Sequence, residues 1–357
     1  MSDYKNVTLK EVAAHAGVSI ATVSRVLNSS THVSSDIKEK VEAAVEELGY
    51  RQNLIARSLK TNSTNTIAFI TSDISNPYMI TVAKAVEDLI HVEKYNLLVC
   101  STEGNPEREL EHLKLQMGRN VDGLILNTTG LNCEFITEIS TRIPVILIHR
   151  NCGNPGFVGD FVDSDNDEGV YQLTKHLISF GHRRIFVIKG KKYISSNQYR
   201  FNGFCRAMAE IGIDVDDSYP YQFDGNFTEE SGYRAVEHLC GLAVRPTAVL
   251  GFNNTTTIGV LRGLMANNIS VPEEMSIVSY NDIEYKELMT VRPTVHEINP
   301  REIGVIAGRA LLERLGAGDL PNRDFILSGR LVPGNAVSVP IDFSDDYSPQ
   351  ITIQVQQ

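Results

Sequence analysis

The sequence predicts a small all-α unit at the N-terminus, followed by a large α/β domain built as two doubly wound subdomains with parallel sheets. Three observations carry this expectation. Three short helical periodicities fall within the first fifty residues; wholly apolar, β-branched runs recur from residue 66 onward; and stretches of helical period separate most of those runs. A chain of 357 residues with 42% hydrophobic side chains has room for two or three units with sizeable cores.

The elements follow in order. Leu9, Val12, Ala13 and Ala16 share one helix face, and Gly17 allows a tight reversal. Ser19 is a good N-cap for a second helix burying Val23, Val26 and Leu27. A third helix spans about 35–48, with Ser34 as cap and Gly49 as terminator. Three helices of this length make only a small core, so the unit is marginally stable alone. The strand-like runs are TIAFI, NLLVC, DGLIL, PVILI, RIFVI, TAVLGF and MSIVSY, with helical stretches such as MITVAKAVEDLIHV and EGVYQLTKHLI between them. Strands apolar on both faces, alternating with helices, indicate covered parallel sheets whose carboxyl ends carry the ligand-facing loops. The expected division is a headpiece over 1–49, a linker over 50–62, the α/β domain over 63–340 and a tail over 341–357.

The net charge of −11 divides unevenly. Residues 1–62 carry eight Lys/Arg against seven Asp/Glu, and the remainder carries 25 against 37. A nearly neutral small segment therefore precedes an acidic body. There is no apolar run of signal-peptide or membrane-spanning length, so a cytoplasmic protein is expected. Five widely spaced cysteines (Cys100, Cys133, Cys152, Cys205, Cys240) form no CxxC pair. Buried free thiols are expected, without a disulfide framework or a metal site.

The string TLKEVAAHAGVSIATVSRVLN, residues 8–28, has the helix–turn–helix spacing that lays a second helix in the DNA major groove. With Val23, Val26 and Leu27 inward, Ile20, Ala21, Thr22, Ser24 and Arg25 point outward. Arg25 suits a bidentate contact to guanine, and Ile20 and Ala21 offer apolar contact to a thymine methyl. Thr8, Ser19, Thr22 and Asn28 are short polar groups suited to phosphates, and His32 completes the headpiece set. An ordinary helical hairpin with a solvated face has the same local pattern.

This block resembles the lactose-repressor (LacI) family of bacterial transcription regulators. The likeness continues through VEAAVEELGYRQNLIARSLKTNSTNTIAFITSDISNPY, residues 41–78, and with recognisable landmarks to about residue 335. It implies a DNA-binding repressor working as a homodimer on near-palindromic operators, with a periplasmic-binding-protein-like effector domain whose subdomains exchange chain near residues 164, 295 and 326. It also implies a hinge helix over 53–60, where Leu59 wedges into the minor groove beside Asn53 and Ala56. Gln52 stands where many members have proline. Family tetramers carry a leucine-heptad tail that residues 341–357 lack, which favours a dimer.

The resemblance places Tyr78, Met79, His149, Arg200, Phe227, Asn253 and Asn281 around an effector, and Arg150, next to His149, is expected to join them. Many sugar-sensing members have aspartate at the positions of His149 and Asn281, and Asn254 likewise replaces an aspartate. Fewer carboxylates, with Arg150 and Arg200 retained, point to a sugar acid or sugar phosphate, with a neutral sugar as the competing expectation. No phosphate loop, HExxH or GxSxG motif occurs, and no cofactor is implied. His182 is expected to be structural, and the acid-rich residues 159–169 do not have EF-hand spacing but enter the second subdomain. A solute-binding protein would need export, and a sugar-metabolising enzyme would need a catalytic constellation that the sequence lacks.

Overall fold

The computed structural model describes residues 7–27, 33–51, 63–317 and 320–341. The chain forms two compact units, one up to Thr64 and one from Asn65 onward.

In the first unit, helices α1 (Leu9–Ala16), α2 (Ile20–Leu27) and α3 (Ser35–Leu48) enclose Val12, Ala13, Val23, Val26, Val41 and Ala44. Thr8 and Glu11 cap α1 reciprocally: Glu11 N–H donates to Thr8 Oγ1 at 3.3 Å, and Thr8 N–H donates to the Glu11 carboxylate at 2.7 Å. Gly17 and Gly49 end α1 and α3 with φ of 64° and 59°, the left-handed backbone that glycine adopts without steric cost. Ser19 caps α2, its Oγ accepting from Thr22 N–H at 3.1 Å. Ser34 departs from expectation: it occupies the N-cap position of α3, but its side chain makes no capping bond.

The second unit contains two six-stranded sheets. The first runs β11-β5-β4-β3-β1-β2, with β1 Thr66–Thr71, β2 Asn96–Ser101, β3 Gly123–Leu126, β4 Val145–Ile148, β5 Asp160–Ser164 and β11 Arg323–Leu327. The second runs β12-β10-β9-β8-β6-β7, with β6 Ile185–Lys189, β7 Gln222–Asp224, β8 Ala248–Gly251, β9 Ser276–Tyr280, β10 Thr294–Glu297 and β12 Arg330–Val332. Pairing is parallel except between β10 and β12. The seven runs read from the sequence each form a strand. Strands β5, β7, β10, β11 and β12 were not among them, because they are short, or carry Asp, His, Glu and Arg that mask the apolar signal. The chain passes from the first sheet to the second after β5, returns after β10, and passes again between β11 and β12.

Helices α4 (Pro77–Val92), α5 (Pro106–Gly118), α6 (Cys133–Ser140) and α11 (Pro300–Ala317) belong to the first subdomain. Helices α7 (Asn166–Ser179), α8 (Ser195–Ala209), α9 (Glu229–Cys240) and α10 (Asn254–Ala266) belong to the second. The pairs α4·α11, α7·α8 and α9·α10 pack at glycines. A Cβ on Gly304, Gly203 or Gly259 would lie 2.4, 2.1 or 1.9 Å from the carbonyl oxygen of Val82, Asp167 or Glu229. One apolar cluster takes in both sheets, from Phe69, Ile125 and Ile146 to Val187, Leu250 and Tyr280. The five cysteines are free but only partly buried, which corrects the expectation of full burial. Among the described residues no helix is long and apolar enough to cross a membrane.

Candidate functional site

Helix α2 presents Ile20, Ala21 and Arg25 to solvent, with Thr22 and Ser24 half-buried. Arg25 makes no ion pair among the described residues, which leaves its guanidinium available to a base edge. The hydroxyls serve local geometry first. Thr8 Oγ1 donates to Glu11 at 2.9 Å, and Ser19 Oγ meets Thr22 Oγ1 at 2.8 Å. These groups would exchange partners, or contribute backbone N–H groups, to meet a phosphate. Asn28, His32, Asn53, Ala56 and Leu59 lie outside the described residues.

All eight residues assigned to an effector line one cleft of about 280 Å³ between the two sheets. The local structure explains the convergence. Asn76 caps α4 by accepting from Tyr78 N–H at 3.1 Å, and Pro77 opens the helix, which sets Tyr78 and Met79 in the first turn. His149 and Asn281 follow directly on β4 and β9, at the carboxyl ends of parallel strands where ligand sites form. His149, Phe227 and Asn281 have φ of 59°, 67° and 67°. Glu103 at the rim shares this conformation, with φ of 54°, and left-handed backbone at four non-glycine residues of one cleft is strain concentrated at a site.

Arg200 is 6% exposed and thoroughly engaged. Its Nε donates to Asn166 Oδ1 at 2.7 Å, another nitrogen donates to the Phe252 carbonyl, and its guanidinium lies 3.9 Å from the Tyr280 ring centroid. Asn166 Nδ2 in turn donates to Asp163 Oδ2 at 2.7 Å, and His149 Nδ1 lies 3.3 Å from Asp163 Oδ1. Arg150 donates to the Thr128 carbonyl at 3.2 Å. Burial, and then the neighbouring Arg200 charge, lower its pKa to about 10, so it remains a cation at neutral pH. The two guanidinium carbons sit 5.5 and 5.8 Å from the Phe227 ring centroid. Phe227 itself packs on Gly190, where a Cβ would lie 2.1 Å from the ring.

Asn253 is largely occupied by structure: it caps α10 at Thr256 N–H (3.0 Å) and donates to the Phe227 carbonyl at 2.9 Å. Asn254 pairs amide to amide with Asn76, at 3.1 and 3.4 Å, so one subdomain is tied to the other. Several buried polar atoms have no partner among the described residues, including Tyr78 Oη, Asn127 Oδ1, His149 Nε2 and Asn281 Oδ1 of the cleft. Unsatisfied buried groups are costly, and four converging on one cavity are consistent with bonds left for a ligand. Sequence reasoning missed Ser72, Asp73, Asn127, Thr129, Lys191 and Tyr193, which also line the cleft. They lie on strand-end loops, whose composition carries no periodic signal. The rim carboxylates are engaged, Asp73 with Ser75 Oγ at 2.6 Å and Glu103 with Arg108. His182 is not in the cleft; it is buried and bonded to Thr247 at 2.8 Å, and burial depresses its pKa to about 4.

Residues 8–53 match the family described as bacterial regulatory proteins, lacI family, and residues 174–337 match the periplasmic binding protein-like domain. The chain is 32% identical over 330 residues to the HTH-type transcriptional repressor PurR of Vibrio campbellii, covering 92% of this chain and 98% of that protein. It is 33% identical over 332 residues to the regulator RegA of Clostridium saccharobutylicum, covering 91% and 97%. Among solved structures, the CelR–cellobiose complex matches with a TM-score of 0.68 at 27% identity, over 93% of this chain and all of the other. The lac repressor dimer bound to operator matches in fold with a TM-score of 0.80 at 24% identity, over 94% of this chain and all of the other. These relatives are described as transcriptional repressors or regulators and not as enzymes. With a helix-turn-helix unit ahead of a two-sheet effector domain, the chain belongs to the lacI family of bacterial regulatory proteins.

Proposed function

We propose that the protein is a cytoplasmic, homodimeric repressor of carbohydrate-utilisation genes, which reads near-palindromic operators through α2 and is controlled by an anionic sugar derivative in the cleft. The observation that carries the effector class is the placement of Arg150 and Arg200 against the single Phe227 ring. The Arg200 charge acts against that of Arg150, and a carboxylate or phosphate would relieve that repulsion through charge-assisted bonds. Lys191, also lining the cleft, adds a third cation. The orphaned oxygens and imidazole nitrogen suit the hydroxyls of a sugar. Relatives in fold are described with cellobiose and with ribose, both neutral, so a neutral sugar is the competing reading.

Calorimetric titration of the intact protein with sugar acids and sugar phosphates, each beside its neutral parent, tests the class. Tighter binding of the charged member is expected; binding by the neutral members alone sinks the proposal. Effector control follows by linkage: a ligand that prefers one closure angle of the subdomains shifts operator affinity, and operator shifts ligand affinity by the same factor. In gel-shift titrations, Leu59→Ala should weaken specific binding far more than non-specific binding, and equal losses would remove the proposed minor-groove wedge.

A further inference from the structure

We propose that Cys133 and Cys152 form a redox-sensitive dithiol, which closes to an intramolecular disulfide on reaction with a hydroperoxide and thereby alters the wall of the effector cleft. Strands β3 and β4 are parallel neighbours, with Leu126 opposite Leu147. The loops leaving their carboxyl ends therefore run side by side, and each delivers one cysteine a few residues later. Cys133, Thr137 and Ser140 fall at i, i+4 and i+7 on one face of α6. That face meets the segment after β4 in step. A Cβ on Gly156 would lie 3.3 Å from Thr137 Cγ2, and Val158 N–H donates to Ser140 Oγ at 3.0 Å. One turn earlier on the same face Cys133, whose Sγ donates to the Gly130 carbonyl at 3.5 Å, is near enough to Cys152 for each thiol to be the first influence on the other's titration. The packed seam holds the two cysteine-bearing segments in step, which favours closure of a disulfide between them.

Reactivity is divided between them. Cys133 is the first residue of α6, where unpaired N–H groups favour a thiolate, and the Cys152 thiol beside it lowers its pKa further. The same contact, with burial, raises the pKa of Cys152. The helix terminus, which Cys152 lacks, makes Cys133 the attacking thiolate. It takes one oxygen from the hydroperoxide, breaking the O–O bond and releasing water or an alcohol, and becomes a sulfenic acid. Cys152 sulfur then attacks the sulfenyl sulfur: the S–S bond forms, the S–O bond breaks, and the Cys152 proton leaves with the departing hydroxyl as water. Two thiols and one peroxide give one disulfide and two hydroxylic products, with two electrons passing to the peroxide.

The link to the cleft is covalent and short. Cys152 closes the segment His149–Arg150–Asn151, in which Arg150 lines the cleft and Asn151 N–H donates across to Ser195 Oγ at 3.0 Å. Arg150 in turn donates to the Thr128 carbonyl at 3.2 Å, on the loop that leads from β3 to α6. Drawing Cys152 onto α6 tightens the segment that positions one of the two guanidinium groups. This second half rests on the cleft being the effector site; the chemistry of the pair does not.

The test is mapping of free thiols in the intact protein after hydrogen peroxide, by alkylation and mass spectrometry. Cys133 and Cys152 should vanish together, appear as one linked peptide and return with a thiol reductant, while Cys100, Cys205 and Cys240 remain alkylatable. In Cys152→Ser, Cys133 should instead be trapped as a sulfenic acid by a dione probe. Oxidation of all five cysteines at similar rates, or links only between subunits, would overturn the dithiol whatever the cleft binds. Calorimetry of the best-binding sugar derivative then compares oxidised and reduced protein. A change of at least ~5-fold, absent in Cys152→Ser, is expected for coupled sites. Unchanged affinity after complete closure would overturn the link to the cleft.

Discussion

At the scale of single residues, the same side-chain type does different work according to what surrounds it. Arg25 stands exposed on α2 with no ion pair among the described residues, whereas Arg200 is buried and engaged by Asn166, the Phe252 carbonyl and Tyr280. The first is free to meet a base edge, and the second is a preorganised wall of a cavity. Arg25→Ala should cost ~1–3 kcal/mol on operator DNA and relax preference at one base pair. Competition gel shifts against single-base operator variants check this, and an equal loss on every sequence would assign Arg25 to phosphate instead. Asp160 gives a stability counterpart. It is fully buried between Arg314, at 2.6 and 2.9 Å, and Arg323, at 2.7 Å. Burial alone would raise its pKa, but the two guanidinium groups outweigh that and hold it below the usual carboxylate range. Its contribution is thus complete above the unfolded carboxylate value near ~4 and is lost as pH falls through the depressed folded value. Asp160→Asn should cost ~3–5 kcal/mol by urea denaturation at neutral pH, because it strands the buried Arg314 charge.

At the scale of elements, the second unit depends on helices that meet backbone to backbone. Gly259 of α10 faces the Glu229 carbonyl of α9 so closely that any side chain must part the pair. Gly259→Ala should therefore destabilise by ~1–3 kcal/mol, the usual cost of overpacking. Gly118, exposed at the end of α5 with nothing within 4 Å of an added Cβ, makes the control. Gly118→Ala should be neutral or gain up to ~1 kcal/mol from helix propensity. Thermal or urea midpoints of the two variants, measured side by side, decide between close packing and simple conformational entropy. The loops at the carboxyl ends of β3, β4 and β9 carry the opposite burden, since the strained His149 and Asn281 and the orphaned polar atoms of Asn127, His149 and Asn281 cost stability in the absence of a ligand.

At the scale of the whole molecule, the division after Thr64 separates reading from sensing. A chain lacking residues 1–62 should lose operator binding in gel shifts yet keep ligand affinity by calorimetry within about twofold; loss of both would mean that the effector unit does not stand alone. Acid sensitivity is also a property of the ensemble. Burial holds His176, His182 and His296 below the ordinary imidazole pKa, His182 at about 4. The unfolded chain takes up these protons first, so stability is full above pH ~6.5 and declines as pH falls toward 4. The urea midpoint should drop across that window, and His182→Asn should show a shallower drop from a lower starting point. A flat wild-type profile between pH 6.5 and 4 would contradict it.

The headpiece was legible in the amino-acid order because its determinants are local: a 3.6-residue period, Ser19 and Thr8 at helix starts, Gly17 and Gly49 at helix ends. The seven apolar strands were legible for the same reason, since a strand buried on both faces needs no partner to declare itself. Strands such as β10 and β11, with polar residues among their apolar ones, acquire their identity only from neighbours distant in sequence. The cleft divides in the same way. The residue types of Tyr78, Arg150, Arg200 and Phe227 could be matched from sequence, but their arrangement could not. Only the folded chain shows that Asn253 is occupied as a cap, that Asn76 bridges to Asn254, and that the Cys133 helix packs on the segment that carries Cys152. Short-range periodicity is written in neighbouring residues, whereas the partner of a buried polar group is chosen by tertiary packing across tens to hundreds of residues.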